Sequence, residues 1–269
     1  MKSALLIGCN YRGTSSELRG CINDVNLLRV YLRNIQKYDR IVELTDDTPI
    51  KPTKNNIIIQ LVTLVRNAKP GDSLFVLFSG HGSLIRDRDG DEKTGYDSCI
   101  CPLDYMKSGT IIDDDLRRQI IDRVPRGVNM QIILDCCHNG TGCDLRYTIN
   151  DTSIVKDTEQ NRKIINDSSL TLVQKACKLE FDVKQNIEEN PKYNKTIANV
   201  TMFSGSGDYE SSADAFENGN YGGAFTMAYM EILRESGEKF TDKEKLYRML
   251  WLLERKGYSQ KCRLMSSMV

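Results

Sequence analysis

Only two histidines occur in this sequence, and each follows a short apolar run. His81 ends the segment LFVLFSGH, and His138 comes directly after the pair Cys136-Cys137 in QIILDCCH. A thiol becomes a nucleophile when a nearby imidazole removes or holds its proton. His138 is covalently too close to Cys137 to turn its ring onto that sulfur. His81 is therefore the one histidine that could activate this thiol.

The two apolar runs predict neighbouring strands of a buried sheet. Ser73 to Ser79 and Met130 to Asp135 are rich in Leu, Ile, Val and Phe, as expected for strands covered on both faces. Neighbouring parallel strands bring their carboxyl ends to one edge of an α/β sheet, where ligands bind. His81 and the cysteine pair would then meet in a crevice that a substrate can reach. In the alternative interpretation, Cys136 and Cys137 are core thiols and His81 is an ordinary loop residue.

The rest of the chain alternates between strand-like and helix-like patterns. Val25, Leu28, Tyr31 and Leu32, for example, repeat at helical spacing. The patterns predict strands at 4–9, 40–44, 73–79, 130–135, 199–204 and 261–265, and helices at 23–35, 54–67, 113–123, 223–235 and 242–256. This order predicts an α/β fold with an open, mostly parallel sheet flanked by helices on both faces. A chain of 269 residues with 40% apolar residues can fill the core of one such domain.

Short motifs follow one another along nearly the whole chain. They are GCIND at 20–24, SGHG at 79–82, GYD at 95–97, PLDY at 102–105, IDDDL at 112–116, DCCHNG at 135–140, TMFSG at 201–205, SADA at 212–215 and GGAF at 222–225. In this order they resemble the motifs of metacaspases, the caspase-like cysteine peptidases of clan CD, family C14. The resemblance implies a caspase-hemoglobinase-like fold and a single peptidase domain over 1–269. Within that domain, 1–149 would be a p20-like part with the catalytic dyad, 150–198 a polar insert, and 199–269 a p10-like part.

The sequence departs from the metacaspase pattern at two positions. Cys136 stands where the family more often has serine, and Asn139 replaces the serine that usually follows the histidine. The second thiol leaves the identity of the nucleophile open between Cys136 and Cys137. A rival interpretation is a catalytically silent, calcium-responsive interaction protein that keeps the caspase-like fold. Because Cys137 and His81 are both intact, the sequence favours the enzyme, and the resemblance implies a calcium-activated cysteine endopeptidase that cleaves after Arg or Lys.

The chemistry of peptide hydrolysis gives each site residue a role. Cys137 would attack the scissile carbonyl, while His81 stabilises the thiolate and then protonates the leaving amine. The resemblance implies that the amides of Gly82 and Cys137 donate to the oxyanion. Glycine at 82 would let the backbone approach closely, because it has no Cβ.

Four residues would line the substrate pocket by the same resemblance: Asp24, Asp135, Cys21 and Ser79. Two carboxylates in a deep cleft favour arginine or lysine before the scissile bond (the P1 residue), since a guanidinium pairs with a carboxylate through two hydrogen bonds. The expected partners are therefore proteins or peptides with a basic P1 residue. In the alternative interpretation, Asp24 only complements the dipole of its helix, which is worth about 0.3–1 kcal/mol.

Four aspartates match the calcium ligands of metacaspases: Asp97, Asp113, Asp114 and Asp144. Ca²⁺ prefers several hard oxygen ligands, so carboxylates that converge from three loops would suit it. Asp113 and Asp114 alone would more often be ordinary acids at a helix N-terminus. Asp144 follows Cys137 closely in sequence, where a bound ion could order the loop that leaves the nucleophile. The resemblance therefore implies Ca²⁺ as a cofactor and as a switch on the active site.

Composition narrows the remaining function classes. The 37 basic and 37 acidic residues balance, which predicts no general attraction to nucleic acid or to a membrane surface. No run approaches the roughly 20 apolar residues of a membrane span.

The nine cysteines are scattered through apolar segments with no secretory signal before them, which predicts a reducing cytoplasm. A nucleotide-binding protein would need a glycine-rich phosphate loop after a strand, and the sequence has none. By resemblance the chain is expected to be a monomer.

The polar insert, 150–198, is rich in Asp, Lys, Asn and Glu, with one amphipathic stretch at 170–179. Its composition predicts a flexible or partly helical surface segment. Basic residues lie in or just before it, at Arg146, Lys156, Arg162, Lys163, Lys175 and Lys178. An enzyme that cuts after Arg or Lys could process itself there, although a solvated linker explains the same residues. An intact chain after incubation with calcium, alongside active peptide cleavage, would count against self-processing.

Overall fold

A computed structural model of the chain contains one eight-stranded sheet built from both the N-terminal and the C-terminal parts. The structure describes residues 1–87, 95–137, 143–151, 153–183, 185–193, 196–206, 214–217, 220–237 and 239–268. The strands are β1 (Lys2–Gly8), β2 (Arg40–Thr45), β3 (Ser73–Ser79), β4 (Gly82–Arg86), β5 (Tyr96–Ile100), β6 (Ile111–Ile112), β7 (Asn129–Asp135), β8 (Tyr147–Asp151), β9 (Ile154–Val155), β10 (Phe181–Asp182), β11 (Gln185–Glu189), β12 (Asn199–Ser204), β13 (Asp214–Glu217), β14 (Asn220–Gly223) and β15 (Arg263–Ser266).

The main sheet has the strand order β11-β8-β15-β12-β7-β3-β1-β2. Strands β12, β7, β3, β1 and β2 pair in parallel, and the remaining three continue the sheet in antiparallel pairing. The helices are α1 (Cys21–Asn34), α2 (Lys54–Arg66), α3 (Tyr105–Ser108), α4 (Asp113–Gln119), α5 (Glu159–Asn166), α6 (Leu172–Lys178), α7 (Ala224–Ser236) and α8 (Asp242–Arg255). The predicted α/β fold is confirmed.

The central strands are apolar on both faces, and each face builds a separate core. In β3, Phe75 and Leu77 belong to a core with α1, α7 and α8, whereas Leu74, Val76 and Phe78 belong to a core with α2 and α4. Side chains alternate between the two faces of a strand, so a continuous apolar run is what a doubly covered sheet requires. The same alternation carries Ser79 to the face that α1 and α7 cover.

Local sequence signals define the helix starts. Thr53 caps α2, where its side chain accepts a hydrogen bond from the amide of Asn56. Thr241 and Glu244 form a capping box at the start of α8, in which each side chain bonds the other residue's backbone amide. Such caps satisfy amides that have no partner within the helix. They fix the predicted boundaries of these helices to within a residue or two.

The structure adds elements that the patterns did not predict. A small sheet of β4, β5 and β6 occupies the polar region between the predicted strand at 73–79 and the helix at 113. The polar insert contains α5, α6 and the strands β9 to β11, and β11 pairs with β8 at the edge of the main sheet. The predicted division between 149 and 150 falls inside β8. Helix α4 ends at Gln119 and is followed by a 3₁₀ turn, Ile121–Arg123.

Candidate active site

The register of two neighbouring strands sets the candidate cysteine and histidine side by side. Ser79 of β3 pairs with Asp135 of β7, the last pair of a parallel ladder. His81 comes two residues after Ser79, and Cys137 comes two residues after Asp135. The backbones touch there, because a side-chain carbon at Gly82 would lie 1.9 Å from the carbonyl oxygen of Cys137. Any residue other than glycine would force the two strand ends apart.

The imidazole of His81 is held by a backbone carbonyl. Its Nε2 atom lies 2.7 Å from the carbonyl oxygen of Ser16. A carbonyl oxygen only accepts hydrogen bonds, so Nε2 carries the proton in this contact. The hydrogen bond on one ring nitrogen decides the state of the other. In neutral His81, Nδ1 is therefore the nitrogen with the lone pair.

The two adjacent cysteines occupy different environments. Cys136 is fully buried and belongs to the core that also contains Leu134. Its carbonyl accepts a hydrogen bond of 2.8 Å from the Ser206 hydroxyl. Cys137 is only half-buried. Cys136 thus matches the core-thiol interpretation, while Cys137 is the thiol of the pair that solvent reaches.

Asp24 is fully buried in the first turn of α1. It accepts a hydrogen bond of 2.7 Å from the Ser79 hydroxyl and is 3.1 Å, through each carboxylate oxygen, from the amide of Gly223. These contacts reach strand β3 and the segment that enters α7. Asp24 therefore connects three elements, beyond the role of an acid at a helix N-terminus.

Asp135, the last residue of β7, is 3% exposed and faces the start of α7. Its Oδ2 atom accepts hydrogen bonds from the amide of Thr226 at 2.9 Å and from the Thr226 hydroxyl at 2.7 Å. A helix N-terminus favours negative charge, which stabilises this carboxylate. A side-chain carbon at Gly223 would lie 2.1 Å from Oδ2. The carboxylates of Asp24 and Asp135 thus both approach Gly223.

The other two predicted pocket residues adjoin the same acids. Ser79 is buried and bonds Asp24 directly. Cys21 is buried one turn before Asp24, and burial together with the Asp24 carboxylate raises its pKa well above the usual value. The structure therefore brings the four predicted pocket residues together near the ends of β3 and β7.

Comparisons with known proteins identify the family. The family model described as "Metacaspase, peptidase C14 domain" matches residues 2–146. A "Metacaspase-1B" of Aspergillus terreus is 39% identical over 254 residues, covering 87% of this chain and 67% of the relative. This chain belongs to the metacaspase family. A "Metacaspase-1" of Yarrowia lipolytica is 38% identical over 287 residues, covering 99% of this metacaspase and 61% of the relative.

The metacaspase spans about three fifths to two thirds of the length of these curated relatives. Among solved structures, the crystal structure of protein GSU0716 from Geobacter sulfurreducens matches with a TM-score of 0.65 and 20% identity. The match covers 98% of this chain and 92% of that one. At this identity the likeness concerns the fold alone, and it agrees with the caspase-like sheet.

The four aspartates predicted as calcium ligands of this metacaspase lie on three segments. Asp97 is on β5, Asp113 and Asp114 begin α4, and Asp144 precedes β8. All except Asp114 are at most 2% exposed. Asp113 accepts a hydrogen bond of 2.9 Å from the amide of Ser98, next to Asp97.

Cys143 lies near both Asp113 and Asp144. Burial, followed by the charges of Asp144 and then Asp113, raises the pKa of Cys143 far above its usual range. Arg117 donates a hydrogen bond of 2.7 Å to the carbonyl of Asp144. Among the residues that the structure describes, no three His, Cys, Asp or Glu side chains are grouped to hold a metal ion. Calcium binding stays a prediction.

The basic residues in and near the insert differ in backbone conformation. Arg162 and Lys163 lie within α5, and Lys175 and Lys178 within α6. Arg146 donates hydrogen bonds to Glu189 and to the carbonyl of Tyr193. Lys156 lies between β9 and α5 with a side chain 41% exposed. Lys156 is half-buried, and its backbone amide donates a hydrogen bond to the carbonyl of Glu180. Self-processing stays a hypothesis.

The sequence analysis missed two residues of the candidate site, Ser16 and Thr226. Ser16 acts through its carbonyl, which any residue could supply, so no side-chain signal reveals it. Thr226 was detectable as a hydroxyl residue directly after the motif at 222–225. His138, Asn139 and residues 212–213 lie outside the described residues. Within the described part of the chain, no helix is long and apolar enough to cross a bilayer. The cytoplasmic and monomeric states stay predictions.

Proposed function

We propose that this protein is a cysteine endopeptidase that cleaves peptide bonds after Arg or Lys, and that calcium activates it. The observation that carries the proposal is the meeting of two strand ends, with Gly82 packed against the carbonyl of Cys137 and His81 beside it. Cys137 is half-buried at this junction, so a substrate can reach its thiol. Membership of a peptidase family supports the same chemistry.

The contacts of His81 suit it to move the proton. Nδ1 of the imidazole would take the proton of the Cys137 thiol, because Nε2 is already bonded to the carbonyl of Ser16. The thiolate would attack the scissile carbonyl, and the imidazolium would then protonate the leaving amine. Water would hydrolyse the resulting thioester and restore the thiol. The amides of Gly82 and Cys137 are the proposed donors to the oxyanion.

The specificity proposal depends on the two buried carboxylates. Asp24 and Asp135 approach the same glycine, Gly223, from different elements. Two carboxylates in one buried site repel each other, and a cationic side chain between them would offset both charges. Arginine can bond each carboxylate through its planar fork, whereas lysine offers a point charge. A basic P1 residue is therefore the substrate feature that this pocket favours.

The test is cleavage of fluorogenic peptides by the purified chain. With calcium present, peptides ending in Arg or Lys before the fluorophore should be cleaved, and a matched Asp peptide should not. Chelation of calcium should abolish the cleavage. Turnover of the Asp peptide, or equal rates for all three, would contradict the proposed specificity. The absence of any turnover would favour the silent, calcium-responsive interaction protein instead.

We propose Asp97, Asp113, Asp114 and Asp144 as the residues that hold the calcium. Their chemistry suits a hard cation, because carboxylate oxygens are the ligands that Ca²⁺ prefers. Three of the four are buried, where a nearby positive charge strongly stabilises a carboxylate. Bound calcium would supply such a charge and would draw the carboxylates of the three segments together. Asp144 leads from the segment after Cys137 into β8, so its position is linked through the chain to the nucleophile.

Asp113→Asn is expected to weaken calcium binding by about tenfold or more, because a carboxylate ligand is lost. Titration calorimetry on the Cys137→Ala protein measures binding without any proteolysis. Asp115→Asn is the matched control, since Asp115 lies on the same helix and pairs with Arg118 at 3.4 Å. Calcium at about 100 times its dissociation constant should stabilise the protein by about 2.7 kcal/mol. Equal affinities of the two variants would exclude Asp113 as a ligand.

A further inference from the structure

Tyr11 contacts His81 at two places. The phenol oxygen accepts a hydrogen bond of 2.9 Å from the backbone amide of His81. The two rings face each other with their centroids 4.8 Å apart and a tilt of 33°. Tyr11 is 1% exposed and lies just after β1, outside every motif noted in the sequence.

The hydrogen-bond partners of the Tyr11 hydroxyl decide where it donates and where it accepts. The phenol donates at 2.6 Å to the carbonyl of Cys101, because a carbonyl can only accept. Its lone pair is then available to the amide of His81. The amide of Cys101 donates in turn to the carbonyl of His81 at 2.9 Å. The backbone amide and the backbone carbonyl of His81 are thus both hydrogen-bonded, in a ring of three hydrogen bonds that joins His81, Tyr11 and Cys101.

The segment from Tyr11 to Ser16 reaches the imidazole as well. Tyr11 has a left-handed backbone, with φ of 51°, which is unusual for a bulky residue. Its carbonyl accepts hydrogen bonds from both the amide and the hydroxyl of Thr14. This turn leads to Ser16, whose carbonyl bonds Nε2 of His81. One short segment therefore contacts the backbone, the ring face and the ring nitrogen of the histidine.

We propose that Tyr11 is a positioning residue that fixes the orientation and tautomer of His81, an inference that rests on the proposed function. The phenol anchors the backbone of His81, and the ring prevents the imidazole from turning away from Ser16. A fixed ring keeps Nδ1 available to Cys137 before the substrate arrives. Tyr11 does not touch the reacting atoms itself.

Two further features of the structure support this role. A side-chain carbon at Gly80 would lie 2.8 Å from the Tyr11 phenol oxygen, so the glycine before His81 makes room for the hydroxyl. Burial raises the pKa of Tyr11 well above 10, so the phenol stays protonated at the pH of any peptidase assay. The hydroxyl is then a constant donor to Cys101 and a constant acceptor for His81.

The experiment compares Tyr11→Phe with Tyr229→Phe, two variants that each lose one buried phenol oxygen. Tyr229 is 2% exposed and bonds Gln131 at 3.2 Å, on the helix α7. We expect Tyr11→Phe to lower kcat by about tenfold or more with KM unchanged, because the general acid–base step loses its alignment. Tyr229→Phe should leave kcat unchanged. Nitrogen-15 spectra should show His81 as a single Nε2–H tautomer in the wild type and as a mixture in Tyr11→Phe.

The spectra keep this inference separate from the proposed function. The chain has two histidines, so His81→Ala assigns the signals directly. If the wild type is inactive, the proposed function fails, while the tautomer of His81 still tests Tyr11. If the wild type is active and Tyr11→Phe matches Tyr229→Phe in kcat and keeps one tautomer, the inference is overturned. Should Tyr11→Phe fail to fold, Thr14→Ala loosens the same turn and is subject to the same two measurements.

Discussion

Replacing Cys137 with alanine is expected to lower kcat/KM for an Arg peptide by about 10⁴-fold or more, because the covalent intermediate can no longer form. Cys136→Ala should leave the rate near that of the wild type, since the Cys136 side chain faces the core. Its effect should be on stability, with a loss of about 1 kcal/mol from the lost packing. Steady-state cleavage in calcium and urea unfolding measure the two effects.

Alkylation provides an independent control on the nucleophile. Among the nine cysteines, only Cys137 and Cys177 are not buried. Burial raises the pKa of Cys177 to about 11, so at pH 7.5 a thiolate exists there in on the order of one in a few thousand molecules. Iodoacetamide should therefore modify Cys137 first and abolish cleavage, and Cys177→Ser should not alter this inactivation. Loss of activity in Cys136→Ala with activity kept in Cys137→Ala would move the nucleophile by one residue.

The central strands could be predicted because burial on both faces leaves a simple signal. The run from Ser73 to Ser79 has the predicted bounds, since each position from Leu74 to Phe78 faces one core or the other. Strand β8 was missed because its apolar residues alternate with polar ones over only five positions, and Tyr147 and Ile149 are the buried ones. The pairing of β11 with β8 connects residues about 40 apart. No local pattern specifies such a long-range contact.

The candidate site likewise contains residues that the sequence reveals and contacts that it does not. Side chains with unusual chemistry, such as His81 and Cys137, are visible in the sequence, and parallel pairing predicts that their strand ends meet. The sequence left the choice between Cys136 and Cys137 open. The choice depends on which of the two side chains turns into the core after β7 ends. The carbonyl of Ser16 could come from any residue, and the phenol of Tyr11 reaches His81 only through the turn after β1, so no local sequence pattern reveals either contact. These contacts become visible only when the turn after β1 is seen against His81.

Asp135→Asn is expected to lower kcat/KM for an Arg peptide by about 30- to 4000-fold, which corresponds to about 2–5 kcal/mol for a buried charge that loses its partner. Asparagine keeps the shape of the side chain, and its oxygen can still accept from Thr226. The substitution therefore removes the negative charge of the side chain and little else. Asp24→Asn should have the same direction of effect, because Asp24 approaches the same Gly223 from helix α1. Steady-state rates with Arg and citrulline peptides measure the change.

The citrulline peptide separates the role of charge from the role of folding. Citrulline has the shape of arginine without its charge, so the wild type should discriminate strongly between the two peptides. In Asp135→Asn and Asp24→Asn the ratio of the two rates should fall, and this double comparison isolates the carboxylate–guanidinium pair. Asp182→Asn, at an exposed position on β10, is the control and should keep the wild-type ratio. If an aspartate variant lost activity equally on both peptides, that carboxylate would be holding α7 against β7 and not selecting the P1 residue. The selectivity ratio, more than the rate alone, therefore decides whether the two buried acids form a binding pocket for a basic side chain.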